Sequence, residues 1–215
     1  MKIREPLNTW THFIGIVLSF AALITLIITA VMKKSPVSLA GGIVFGISLI
    51  LLYTASTIYH GYNGSDQIIL RLKKLDHAMI FVLIAGTYTP ICLIALRGPL
   101  GYGLLIGIWS LALIGMVTKV IFIHMPRWLS AGMYLFMGWI SVAFIYPLSK
   151  TLPTNGFLWL IIGGLFYTVG AIFYATKSEK IKLGSFGFHE IFHLFILAGS
   201  AAHFILIHRY LIAIA

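Results

Sequence analysis

Residues 6–32 read PLNTWTHFIGIVLSFAALITLIITAVM, without one charged side chain. About 20 apolar residues are enough to cross the hydrocarbon core of a bilayer as a helix. The run is too long for the apolar region of a secretory leader, roughly 7–15 residues, and no small-residue cleavage site follows it. It is therefore expected to stay in the chain as a membrane-spanning helix. Outward from it, similar runs recur, so that the expected spans are 10–32, 37–59, 77–96, 99–118, 128–148, 156–175 and 188–208. The breaks between them carry helix-stopping or charged residues: KKSP at 33–36, GYNGSDQ at 61–67 followed by RLKKLD, RGPLG at 97–101, HMPR at 124–127, SKTLPTNG at 149–156 and TKSEKIKLGS at 176–185.

Composition points the same way. The chain is 60% hydrophobic and 9% charged, with a mean hydropathy of +1.02, whereas soluble domains carry about 25% charged residues. The expected fold is all-α: one integral-membrane domain over residues 1–215, built as a seven-helix transmembrane bundle. Cys92 is the one cysteine, which excludes an internal disulfide and a cysteine-rich metal site.

A net charge of +10 would suggest nucleic acid in a soluble protein, but here the basic residues lie in short clusters between apolar runs. No nucleic-acid partner is expected, and the charges are read as a topology signal. Ten of the 15 Lys and Arg fall on one side of the seven spans: Lys2, Arg4, Arg71, Lys73, Lys74, Lys119, Arg127, Lys177, Lys180 and Lys182. The positive-inside bias then puts the N-terminus in the cytoplasm and the C-terminus outside, in a multi-pass protein of the cell membrane.

With that orientation, the ionisable and polar residues fall at one depth. The cytoplasmic ends of helices 1, 2, 3 and 7 hold Glu5, Asn8, Thr11 and His12, then Ser56 and His60, then Asp76 and His77, then His189 and His193. Polar groups inside a membrane are costly unless paired or functional. His189 and His193 stand one turn apart on one face, as two ligands of one metal must. His203 lies about 21 Å along the same helix from His189 and cannot complete the same coordination sphere. A third ligand has to come from a neighbouring helix. His60 is best placed because Ser56 lies one turn before it, although depth alone leaves His12 and His77 open.

An all-imidazole set with one open position suits Zn2+. Asp76, at the same level, could accept a proton from a water held there, and Ser56 could steady a substrate carbonyl or the oxyanion formed from it. HEIFH at 189–193 also matches the H-E-x-x-H of zinc proteases. The metzincin continuation would need Gly and His where this chain has Ile196 and Gly199, so Glu190 is expected to cap the first turn of helix 7 rather than act as a base.

EPLNTWTHFIG at 5–15, STIYHGY at 56–62, LDHAMIF at 75–81 and FHEIFH at 188–193 resemble, in order and over the whole chain, the motifs of the hemolysin III family. That family is the bacterial branch of the progestin and adipoQ receptor family, related to alkaline ceramidases. The resemblance implies a seven-helix fold with a cytoplasmic N-terminus and zinc near the inner leaflet. It selects His60, with His189 and His193, as the metal ligands, Asp76 as the holder of a bound water, and Ser56 close by. It also implies hydrolysis of a membrane-lipid amide or ester, with a membrane lipid as substrate or ligand. Two alternatives stand beside it: a membrane-homeostasis sensor with structural zinc, and a pore-forming haemolysin that lyses cells.

His12, with Asn8 and Glu5 on the same face, is read as support for the site or as packing. His77 is read as a loop or interface residue and His203 as an interhelical histidine. Pro90 is expected to kink helix 3, with Thr87 or Thr89 satisfying freed backbone groups. The pairs Gly42/Gly46 and Gly103/Gly107 are packing signals compatible with a homodimer. Lys73, Lys74 and Arg71 are expected to attract anionic headgroups.

Overall fold

The computed structural model describes residues 2–176, 184 and 186–212. Among these are seven helices long and apolar enough to cross a membrane: α1 Pro6–Met32, α2 Pro36–Gly61, α3 Asp66–Leu96, α4 Gly98–Ile121, α5 Arg127–Thr151, α6 Thr154–Thr176 and α7 Phe188–Leu211. Pro6 and Pro36 open their helices at a position whose N–H would be orphaned anyway, and Ser35 caps α2 by accepting from Ser38 N.

The helices outrun the apolar windows. α3 begins at Asp66 rather than near residue 77, so Arg71, Lys73 and Lys74 sit on helix, not in a loop. Lys119, Arg127, Lys150 and Arg209 likewise lie in helical end turns. Hydropathy marks where a helix meets lipid, and backbone hydrogen bonding continues past that level. Lys177, Lys180 and Lys182, which contribute to the charge asymmetry, lie outside the described residues.

α1 packs along α2, α2 along α3, α3 along α4, α5 along α6, and α6 along α7, while α1 against α7 closes the ring. α3 is the buried hub. α1 shows how the polarity is arranged. Its outer face carries Phe13, Val17, Phe20, Ile24, Ile28 and Val31, all exposed, whereas Asn8, Thr11, His12 and Ser19 turn inward. This is the reverse of a water-soluble helix and is what lipid as solvent requires.

Gly42 and Gly46 serve the chain's own packing, against Leu26 and Leu23 of α1, whereas Gly103 and Gly107 on α4 meet nothing within 4 Å. At Gly15 a Cβ would stand 2.5 Å from the ring of Tyr53, so the absence of a side chain lets that ring sit beneath His12. Pro90 lies inside α3, and the helix widens into a π-turn over Ile91–Leu96. Thr87 and Thr89 bond to the Leu83 and Ala85 carbonyls, one residue or more away from the Gly86 carbonyl that the proline leaves without its N–H.

Candidate metal centre and its cavity

At the end of the bundle where α1 begins, three imidazoles converge: His60 from the last turn of α2, and His189 and His193 from the first turns of α7. Each offers a ring nitrogen, and the three nitrogens lie within 4.8 Å of one another. His60 Nε2 and His189 Nε2 are 3.3 Å apart. Two ligands on a tetrahedral ion with metal–nitrogen bonds of about 2.0–2.1 Å stand roughly 3.3 Å apart, so the pair already has coordination spacing. These three residues could hold a metal ion.

The far side of each buried ligand is occupied in the way a metal histidine needs. His60 Nδ1 faces Glu5 Oε2 at 2.6 Å, which leaves Nε2 free to coordinate. Glu5 is itself fixed: Asn8 Nδ2 donates to it at 3.0 Å, Arg4 Nε donates at 3.1 Å, and the Glu5 backbone N–H donates to the His60 carbonyl at 3.1 Å. Arg4 also donates to the Tyr59 carbonyl and lies over the Tyr59 ring. Partial burial pushes the Glu5 carboxyl up, but the hydrogen bond and charge of His60, aided by Asn8 and Arg4, outweigh it and hold the pKa at about 2. On α7, His193 Nδ1 lies 3.2 Å from Thr11 Oγ1, and His12 stacks on the His193 ring with centroids 3.5 Å apart. Glu190 turns away from the cluster and accepts from Gly187 N at 2.9 Å, the capping role expected of it.

Asp76 and Ser56 are both buried and line one cavity with His189 and His193. That narrow cavity, about 180 Å³, continues past Leu83, Ile84 and Ile91 on α3 and Val142 and Ile145 on α5 to His203. Its wall includes Trp139, Val142, Ile145 and Ile161, which are also exposed on the outer surface of α5 and α6.

His203 is held deep in the bundle: Nδ1 donates to the Gly199 carbonyl at 2.8 Å, and the ring stacks on Tyr167. Tyr167 and Tyr53 both reach Ser200 Oγ, at 3.0 and 2.7 Å. His77 is not a loop residue. It is buried on α3, lines the same cavity, and its Nδ1 has no hydrogen-bond partner among the described residues. Sequence reasoning placed Thr11 at the right level but gave it no role. Its pairing with His193, 182 positions away, has no local signal.

The family model described as "Haemolysin-III related" matches residues 1–204. The chain is 42% identical over 211 residues to the Hemolysin-3 homolog of Bacillus subtilis (strain 168), covering 98% of this chain and 96% of that one. It is 41% identical over 212 residues to Hemolysin-3 of Bacillus cereus, covering 99% and 94%. The chain belongs to the haemolysin III family. More distantly, it is 27% identical over 175 residues to the Monocyte to macrophage differentiation factor of Homo sapiens, covering 78% and 69%. Membership and seven apolar helices together make this haemolysin III protein a multi-pass protein of the cell membrane.

Proposed function

We propose that the protein is a zinc-dependent hydrolase of a membrane-lipid amide or ester, oriented with its N-terminus in the cytoplasm so that the site lies near the inner leaflet. The observation that carries the reading is the meeting of His60, His189 and His193 beside Asp76 and Ser56 at one end of a long apolar cavity. The donor set favours zinc: three imidazoles, none of them a cysteine or carboxylate, with room for a further ligand. Bound there, zinc would supply a Lewis acid and lower the pKa of water.

The chain's own residues do the rest. Asp76 accepts the proton of the attacking water, and Ser56 donates a hydrogen bond to Asp76 or to the carbonyl oxygen as charge develops on it. Glu5 and Thr11 hold His60 and His193 in the tautomers that leave the coordinating nitrogens free. The apolar wall takes the acyl chain, and the exposed stretch of that wall between α5 and α6 gives the chain a sideways path from the bilayer.

A membrane-homeostasis sensor would favour a closed four-ligand site, whereas the metal-ligating group found among the described residues has three members. Cytolysis stands as a second reading because the relatives are named Hemolysin-3. The deciding experiment is metal analysis of purified wild type and His60→Ala, paired with fatty-acid release from ceramide-like and phospholipid substrates. Zinc in the wild type, lost in the variant together with release, is the expected result. Zinc without release in either substrate class refutes the hydrolase, and dye leakage from liposomes that needs no substrate turnover points to the pore.

A further inference from the structure

A second pocket, about 360 Å³, opens on the same end of the bundle, outside the cavity just described. Lys73 of α3, Lys119 of α4, Arg127 of α5 and His124 from the α4–α5 connection line it, with the rings of Tyr59 and Tyr174 between them. Among the described residues no carboxylate lines it. Asp76, whose charge acts on Lys73, lines the other cavity instead. Lys119 is 1% exposed, and among the described residues its ammonium donates one hydrogen bond, at 2.7 Å to the neutral Ser130 hydroxyl. Among the described residues Arg127 rests over Tyr174 and Phe188 with no acidic partner, and the ion pairs involve only Arg4, His60 and Glu5.

Three cationic side chains held around one concavity repel one another, and a buried ammonium bonded to a neutral hydroxyl is stabilised by a counter-charge. An anion would supply that counter-charge. Its chemistry follows from the donors: an ammonium, a guanidinium and phenolic hydroxyls converging from separate helices suit the several oxygens of a tetrahedral phosphate, and Arg favours that geometry.

We infer that this pocket is a phosphate-binding site, filled by the headgroup phosphate of a lipid or by free phosphate. It lies at the membrane surface, where helix ends meet water and headgroups. His77 and His189 line both pockets, so a phosphate held here stands one imidazole away from the histidine cluster. Combined with the hydrolase reading, on which this one consequence rests, the substrate is a phosphate-bearing lipid, with its headgroup in the basic pocket and its chain in the apolar one.

The test uses the full-length protein in nonionic detergent and the rim variant Lys73→Gln/Arg127→Gln, which spares the buried Lys119. Lys150→Gln, at the opposite end of α5, is the control. One arm titrates inorganic phosphate calorimetrically at low salt. The other counts phosphatidylglycerol retained, by native mass spectrometry, after extraction from nanodiscs of equimolar phosphatidylcholine and phosphatidylglycerol. Each rim charge near the surface is worth about fivefold in affinity, so the double variant should bind about 30-fold more weakly while the control is unchanged.

Loss in both arms supports a phosphate site open to either source. Loss of phosphatidylglycerol alone, with no binding of inorganic phosphate to wild type, assigns the site to headgroups. Equal binding by wild type and double variant in both arms overturns the inference. Metal content is read on the same samples: a wild type without metal refutes the hydrolase reading and leaves the phosphate result standing.

Discussion

Removing the Glu5 carboxylate should weaken metal binding without touching a ligand. The contact from His60 Nδ1 to Glu5 Oε2, at 2.6 Å, is short even for a charge-assisted hydrogen bond, and the Glu5 side chain is 38% exposed, so water shares part of the interaction. Partners of this kind behind a metal histidine are worth about 10–100-fold in metal affinity, or about 1.4–2.7 kcal/mol. Glu5→Gln keeps an acceptor oxygen and should fall near the lower figure. Glu5→Ala frees the His60 ring to rotate and should fall near the upper one, although the backbone bond from residue 5 to the His60 carbonyl remains. The assay is competition for zinc against a chromophoric chelator, with helicity followed by circular dichroism to confirm that the bundle is intact. His60→Ala serves as the reference for a lost ligand. A Glu5→Ala protein that is folded and binds zinc as tightly as wild type would refute the claim that Glu5 orients His60 for a metal.

Asp76→Asn should retain its metal yet lose about 100- to 10,000-fold in lipid hydrolysis, measured as initial rates in mixed micelles, because the amide cannot take a proton. Gly15→Ala should destabilise the protein by about 1–3 kcal/mol in detergent melts, since its Cβ would lie 2.5 Å from the Tyr53 ring within a packed α1–α2 seam; Gly103→Ala, in open space, should leave the melting temperature unchanged. Tyr53→Phe removes the hydroxyl that donates to Ser200 at 2.7 Å and should cost about 0.6 kcal/mol in the same melts, with metal content unaffected.

The seven spans were legible because lipid contact leaves a signature in every window: α1 needs an apolar outer face regardless of its partners. The start of α3 was not, since Arg71, Lys73 and Lys74 on its first turns belong to a helix above the hydrocarbon, where hydropathy carries no information. For the site, periodicity put His189 and His193 on one face, and a common depth brought Ser56, His60 and Asp76 to their level. The choice of His60 over His12 and His77 needed family motifs, because rotation of α1, α2 and α3 about their axes is fixed by packing that no local pattern encodes. In the structure His12 stacks on His193 instead of joining the group of three, and His77 faces the cavity wall. Lys119 shows the opposite failure. Counted as a topology charge, it turns inward to Ser130, a pairing that depends on how the α4–α5 connection folds back.

His60 and His189 are 129 positions apart, one from the second helix to be made and the other from the last. During synthesis, six helices can enter the bilayer and pack before either α7 histidine of the cluster exists. Until α7 arrives, His60 and Glu5 wait as a half-built clasp. A cation held by these three histidines would therefore be loaded last, and a chain cut short before Phe188 would carry His60 alone of the three.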